Sequence, residues 1–214
     1  MHPSPAFQSG SDRAFALARA YPFAMLAVAV DGRVETVQTP LIAAAGRDGR
    51  ASAFEGHLAR ANRVYAALRD QGGHAAGTAV FCGPQAYVSP SSYASKPQGR
   101  VVPTWNYVAA EAQGRVTLIE DAEASWAILE RQTAHFEAGE AAPWSLADGD
   151  AAYMSRLVGA IAGVRLEIER FEATEKLSQN KDKADRQGVI AALSRREDHD
   201  SRALAARMIE LEKG

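Results

Sequence analysis

Phe23-Ala24-Met25-Leu26-Ala27-Val28-Ala29-Val30-Asp31-Gly32-Arg33-Val34-Glu35-Thr36-Val37 is the stretch on which the fold turns. Two apolar, β-prone runs flank Asp-Gly, a dipeptide that tolerates the positive φ values of a type I′ turn. The pattern predicts an antiparallel hairpin whose second arm runs on to Ala45. Gly46-Arg47-Asp48-Gly49 predicts another turn before a strand from Ala51 to Glu55, so three antiparallel strands follow one another. The apolar run Phe23–Val30 has eight residues, far short of the roughly 20 a membrane helix needs. No membrane span is expected.

Working outward, Ser11-Asp12 caps a short helix that Pro22 stops. Arg60 to Asp70 puts Val64, Ala67 and Leu68 on one helical face, and Gly72-Gly73 ends it. Strands are predicted at Thr78–Cys82 and Ala86–Ser89, then a long surface loop from Ser89 to Gly99. Val101–Ile119 reads as one or two strands interrupted at Gln113-Gly114. Ala122, Trp126, Leu129, Thr133 and Phe136 mark an amphipathic helix. A helix at Asp150–Val158 precedes a strand at Gly163–Phe171, where Val164, Leu166 and Ile168 alternate with charges. Between Arg165 and Gly214, eleven basic and eleven acidic residues accompany two helices, Ala184–Ser194 and Asp200–Glu212, the second with Leu204, Met208 and Leu211 on one face. Strands early, helices late and no βαβ alternation predict an α+β fold, an antiparallel barrel or sheet decorated by helices.

Composition narrows the function. The chain has 214 residues, 47% of them hydrophobic, and a net charge of −2, which excludes a disordered chain and disfavours a basic nucleic-acid coat. One cysteine, Cys82, excludes an intramolecular disulfide and a multi-cysteine zinc cluster. Five histidines are scattered without ligand spacing, so no metal is expected. Met1-His2-Pro3-Ser4-Pro5 lacks the basic and apolar regions of a signal peptide, which makes the cytoplasm the expected compartment.

Four polar stretches carry the candidate chemistry. Gly56-His57-Leu58-Ala59-Arg60-Ala61-Asn62 leaves a strand through a glycine and enters a helix, where N–H groups with Arg60 and Asn62 would suit a phosphate. Equally, His57 and Asn62 could merely cap that helix. Gly83-Pro84-Gln85-Ala86-Tyr87-Val88-Ser89-Pro90-Ser91-Ser92-Tyr93 offers hydroxyls for a phosphate or a polyol chain, or is an ordinary Ser/Pro loop. Val102-Pro103-Thr104-Trp105-Asn106-Tyr107 is too polar for a plain strand core. Lys176-Leu177-Ser178-Gln179-Asn180 follows a strand as a polar cluster or a surface turn.

In order and spacing these stretches resemble the PaiB family of FMN-binding negative transcriptional regulators, over roughly Phe7 to Leu193. The resemblance implies an antiparallel split β-barrel like that of pyridoxamine-phosphate oxidase and flavin reductases, with peripheral helices and a C-terminal helical segment. Residues 1–175 would form the barrel domain and 176–214 a helical tail. It implies a homodimer with FMN at the subunit interface. For the phosphate it points to Arg60, with Asn62, Ser89, Ser91 and Ser92. For the isoalloxazine ring it points to Thr39, Leu41, Thr104, Trp105 and Asn106, while His57, Leu58, Lys176 and Gln179 approach the cofactor. Two positions depart from the family pattern: Gln38 where a histidine is frequent, and Ser92-Tyr93 where a tryptophan is common. Three functions follow: a flavin-binding regulator, with DNA as a partner that the charge does not favour; an FMN-dependent oxidoreductase; or a flavin-free interaction module.

Overall fold

Residues 4–45 and 51–213 are described by a computed structural model. A short strand, β1 (Gln8–Ser9), precedes helix α1 (Ser11–Ala20), and β2 (Phe23–Val30) and β3 (Arg33–Pro40) then form the expected hairpin. Asp31 and Gly32 take φ of 49° and 73°, the two positive values a type I′ turn requires. Pairing runs without a slip from Phe23–Pro40 to Val30–Arg33. Strands β4 (Ile42–Ala45) and β5 (Ala51–Ala59) pair antiparallel; the turn expected at Gly46–Gly49 lies outside the described residues. After them come α2 (Arg63–Asp70), β6 (His74–Val88), β7 (Thr104–Ile119), α3 (Ala122–Glu137), α4 (Ala151–Gly159), β8 (Ile161–Lys176), α5 (Lys183–Ser194) and α6 (His199–Leu211). The sheet order is β3-β2-β6-β7-β8-β5-β4, with β1 on β8. This is the antiparallel α+β architecture the hairpin predicts.

Several elements differ from the sequence reading. Strand β5 runs through Gly56 to Ala59, and α2 starts at Arg63 rather than Arg60. The two strands expected at 78–82 and 86–89 are one, β6. Gly114 does not interrupt β7, because the glycine serves a close crossing: a Cβ there would lie 1.8 Å from the Glu167 carbonyl oxygen. Helix α3 is rotated from the expected face. Ser125, Ile128 and Gln132 are buried, whereas Phe136 is 43% exposed. Polar Ser125 and Gln132 face inward because each has a backbone carbonyl to bond, Ile119 and Pro40 respectively. In α6, Leu204 and Met208 are buried but Leu211 is exposed. The segment after Ser89 is more than a surface loop, since it forms two 3-10 turns and buries Tyr93.

The chain divides into two compact units, Met1–Leu17 with Cys82–Ala110 and Glu172–Gly214, and Ala18–Phe81 with Glu111–Phe171. In the first unit, α5 and α6 bury Val189, Leu193, Leu204 and Met208. The Glu175 carboxylate there is held by Arg13 at 2.9 Å and Arg207 at 2.7 Å, which ties α1 and α6 to the end of β8. In the second unit, Leu26, Val28, Phe54, Phe81, Leu68, Ile128 and Leu166 form the core, with the Phe54 and Phe81 ring centroids 4.7 Å apart. Glu55, buried in that unit, is clamped by Arg131 and Arg165. No described helix is long and apolar enough to cross a membrane.

Candidate functional site

In the second unit the polar stretch around His57 is organised by a residue the sequence reading missed, Gln132. Its Nε2 donates to the Pro40 carbonyl at 2.9 Å, and its Oε1 lies 2.8 Å from His57 Nδ1. A carbonyl only accepts, so the amide orientation is set, and Nδ1 must carry the proton in the neutral ring. Nε2 is then the lone-pair acceptor. Gly56 makes the arrangement sterically attainable, because a Cβ there would stand 2.6 Å from the Pro40 oxygen. Thr39 is buried and its hydroxyl donates to the His57 carbonyl at 2.9 Å, bridging β3 and β5. Leu41 and Leu58 are core side chains, each 2% exposed.

Arg60 lies just beyond β5. Its guanidinium donates to the Tyr65 hydroxyl at 2.7 Å and to Glu120 at 3.2 Å, and Tyr65 donates to the same carboxylate at 2.8 Å. The Tyr65 hydrogen bond, helped by Arg60, holds the Glu120 carboxyl below its ordinary range. Asn62 caps α2 by accepting from the Val64 N–H at 2.8 Å.

The first unit gathers the other eight candidates. Lys176 Nζ donates to Thr104 Oγ1 at 2.6 Å, and Asn106 Nδ2 donates to Ser178 Oγ at 2.9 Å. Alternation along β7 places Thr104 and Asn106 on one face and Trp105 on the other. There Trp105 is 48% exposed, donates to Gln85 and lies 6.3 Å from the Tyr87 ring. The hexapeptide that looked like one site therefore serves two faces. Asn106 is fully buried, and its Oδ1 has no partner among the described residues. Ser178 holds φ of 63°, a strained value for serine. Gln179 spans the turn by bonding Leu177 N and Glu175 O. Ser89 caps the 3-10 turn Pro90–Ser92, Ser91 accepts from Lys96 Nζ at 3.0 Å, and the Ser92 carbonyl lies where Gly188 of α5 passes too closely for a Cβ. Asp185 accepts from Ser95 N and Oγ, and those bonds hold its carboxyl below the usual range.

The architecture is thus an antiparallel α+β sheet decorated by helices, with polar rows in each unit. The family model described as “Putative FMN-binding domain” matches residues 1–170, and the chain belongs to that family, whose defining cofactor is FMN. A Bacillus subtilis protein named protease synthase and sporulation protein PAI 2 is 31% identical over 159 residues, covering 72% of this chain and 70% of its own. An uncharacterised protein of Aspergillus fumigatus is 40% identical over 128 residues, covering 52% of this chain and 49% of its own. The chain thus spans about half the length of that fungal relative. Among solved structures, a FAD- and haem-binding protein of Mycobacterium smegmatis superposes with a TM-score of 0.57 at 17% identity, over 86% of this chain and 79% of that one. The last likeness is one of fold.

Proposed function

We propose that the chain is a dimeric FMN-binding regulator of the PaiB type, with the flavin seated against Thr104 and Asn106 of β7 and the Lys176–Gln179 stretch. The observation that carries this reading is the unpartnered Asn106 Oδ1. A fully buried amide oxygen without a donor costs about 1–3 kcal/mol, and such an atom calls for a reason, of which a donor supplied by a bound ligand is the one this reading takes. A flavin brings an imide N–H and ribityl hydroxyls, and its carbonyl and phosphate oxygens suit the ammonium and hydroxyl donors of Lys176, Thr104 and Ser91. The residues therefore fit the group. Trp105, exposed beside Tyr87 on the opposite face of β7, is not part of this seat. When bound, FMN would supply redox chemistry of its own, and the chain would orient and desolvate it.

The regulatory output is read from the kinship alone, and the net charge of −2 restricts any DNA contact to a local basic patch. FMN titration of Asn106→Leu tests the site. Loss of one hydrogen bond predicts affinity about 2–10-fold weaker than wild type; an unchanged affinity would place the flavin elsewhere. A gel-shift titration at fixed salt tests the output, where binding that is absent or indifferent to DNA sequence would oppose the regulator. Bleaching of the flavin by NADPH would favour an oxidoreductase instead.

A further inference from the structure

Beside His57, within the second unit, lies an open groove of about 520 Å³; the resemblance points to His57 for the flavin but to none of the groove's other walls. Its walls come from Leu129 of α3, Trp144, Leu146, Tyr153 and Leu157 around α4, and Ile161 at the start of β8. Trp144, Tyr153 and Leu157 are 42%, 52% and 46% exposed, an unusual concentration of open apolar surface. None of the lining residues is an Asp, Glu, Lys or Arg, so an anionic headgroup finds no counter-charge there. The volume is that of a small-molecule site, which characteristically combines apolar walls with a few oriented polar atoms.

The oriented atom is His57 Nε2. The chain from the Pro40 carbonyl through Gln132 to His57 Nδ1 leaves Nε2 as an acceptor, and no described group donates to it. An acceptor held in one tautomer on an apolar wall selects a ligand that is flat, uncharged and equipped with a single O–H or N–H. We propose that this groove binds small uncharged aromatic alcohols or amines, with the ligand's donor on His57 Nε2. The proposal stands apart from the flavin, whose phosphate the groove does not suit.

Equilibrium dialysis with two probes tests it: 2-naphthol, which can donate, and 2-methoxynaphthalene, which has the same ring system and cannot. Wild type is expected to prefer naphthol by about tenfold, the value of one buried hydrogen bond. In His57→Phe that preference falls to about one while methoxynaphthalene binding is retained. Should His57→Phe fold poorly, Leu157→Lys at an exposed position of the wall is expected to weaken both probes about equally. Equal binding of the two probes by wild type, or a naphthol preference that survives in His57→Phe, overturns the proposal. Displacement of naphthol by FMN would give the groove to the cofactor. Release of naphthol on self-association, seen by sedimentation at rising protein concentration, would make it an interface between copies. Either result also overturns it.

Discussion

Gly56 and Glu175 show how single residues constrain the molecule. A methyl at Gly56 would meet the Pro40 oxygen at 2.6 Å and Leu41 Cδ2 at 2.8 Å. Gly56→Ala is therefore expected to cost about 1–3 kcal/mol in urea unfolding; a change within error would mean that β3 and β5 part freely. Burial alone would raise the Glu175 carboxyl, but hydrogen bonds from Arg13 and Arg207 outweigh it and draw its pKa down to about 2. The sign follows. A carboxyl with a lowered folded pKa stabilises the fold above its ordinary value near 4.5 and loses that contribution as pH falls toward 2. The contribution is at most about 3–4 kcal/mol. Urea midpoints should fall from pH 5 to pH 3 in wild type and much less in Glu175→Gln; parallel profiles would remove Glu175 from the acid response. Sequence made His57 visible through its polar company, Arg60 and Asn62, where a strand leaves through Gly56. It did not reveal Gln132, whose partners lie 75 and 92 positions away, although a glutamine four residues beyond Ile128 on the buried helical stripe was the available signal.

Local chemistry was legible for some elements and not for others. The Asp-Gly turn determined the β2–β3 register because two positive φ values admit few alternatives. Helix α3 was read as existing in the right place but on the wrong face, since hydrophobic periodicity cannot anticipate that Ser125 and Gln132 find carbonyl partners inside. The structure therefore predicts that Ile128→Ala costs about 2–5 kcal/mol and Phe136→Ala within about 0.5 kcal/mol. The reverse order in denaturant unfolding would restore the periodic face. Glycine misled at β7 in the same way. Gly114 reads as a break but allows β7 to pass the Glu167 carbonyl, so Gly114→Ala should lose the folded state's near-ultraviolet dichroism or cost at least about 3 kcal/mol. The polar hexapeptide around Trp105 reads as too hydrophilic for a plain strand core, yet Asn106 within it is fully buried. Its division between two faces follows from strand alternation, which only the observed strand limits make usable.

For the whole molecule, an antiparallel sheet with helices was legible from punctuation and alternation, whereas flavin binding came from the joint order of four motifs rather than from any one of them. The composition that argued against a nucleic-acid coat is compatible with a chain that buries polar residues, among them Asn106, Ser178 and the two arginine-clamped glutamates. The central claim is that this interior is completed by FMN. Titrating FMN into the purified chain while following flavin fluorescence and the melting midpoint tests it most directly. The account predicts saturable quenching at one flavin per chain, with stabilisation of about 2.7 kcal/mol when FMN reaches a hundredfold excess over its Kd. Fluorescence that never saturates, together with a melting midpoint indifferent to FMN, would contradict it.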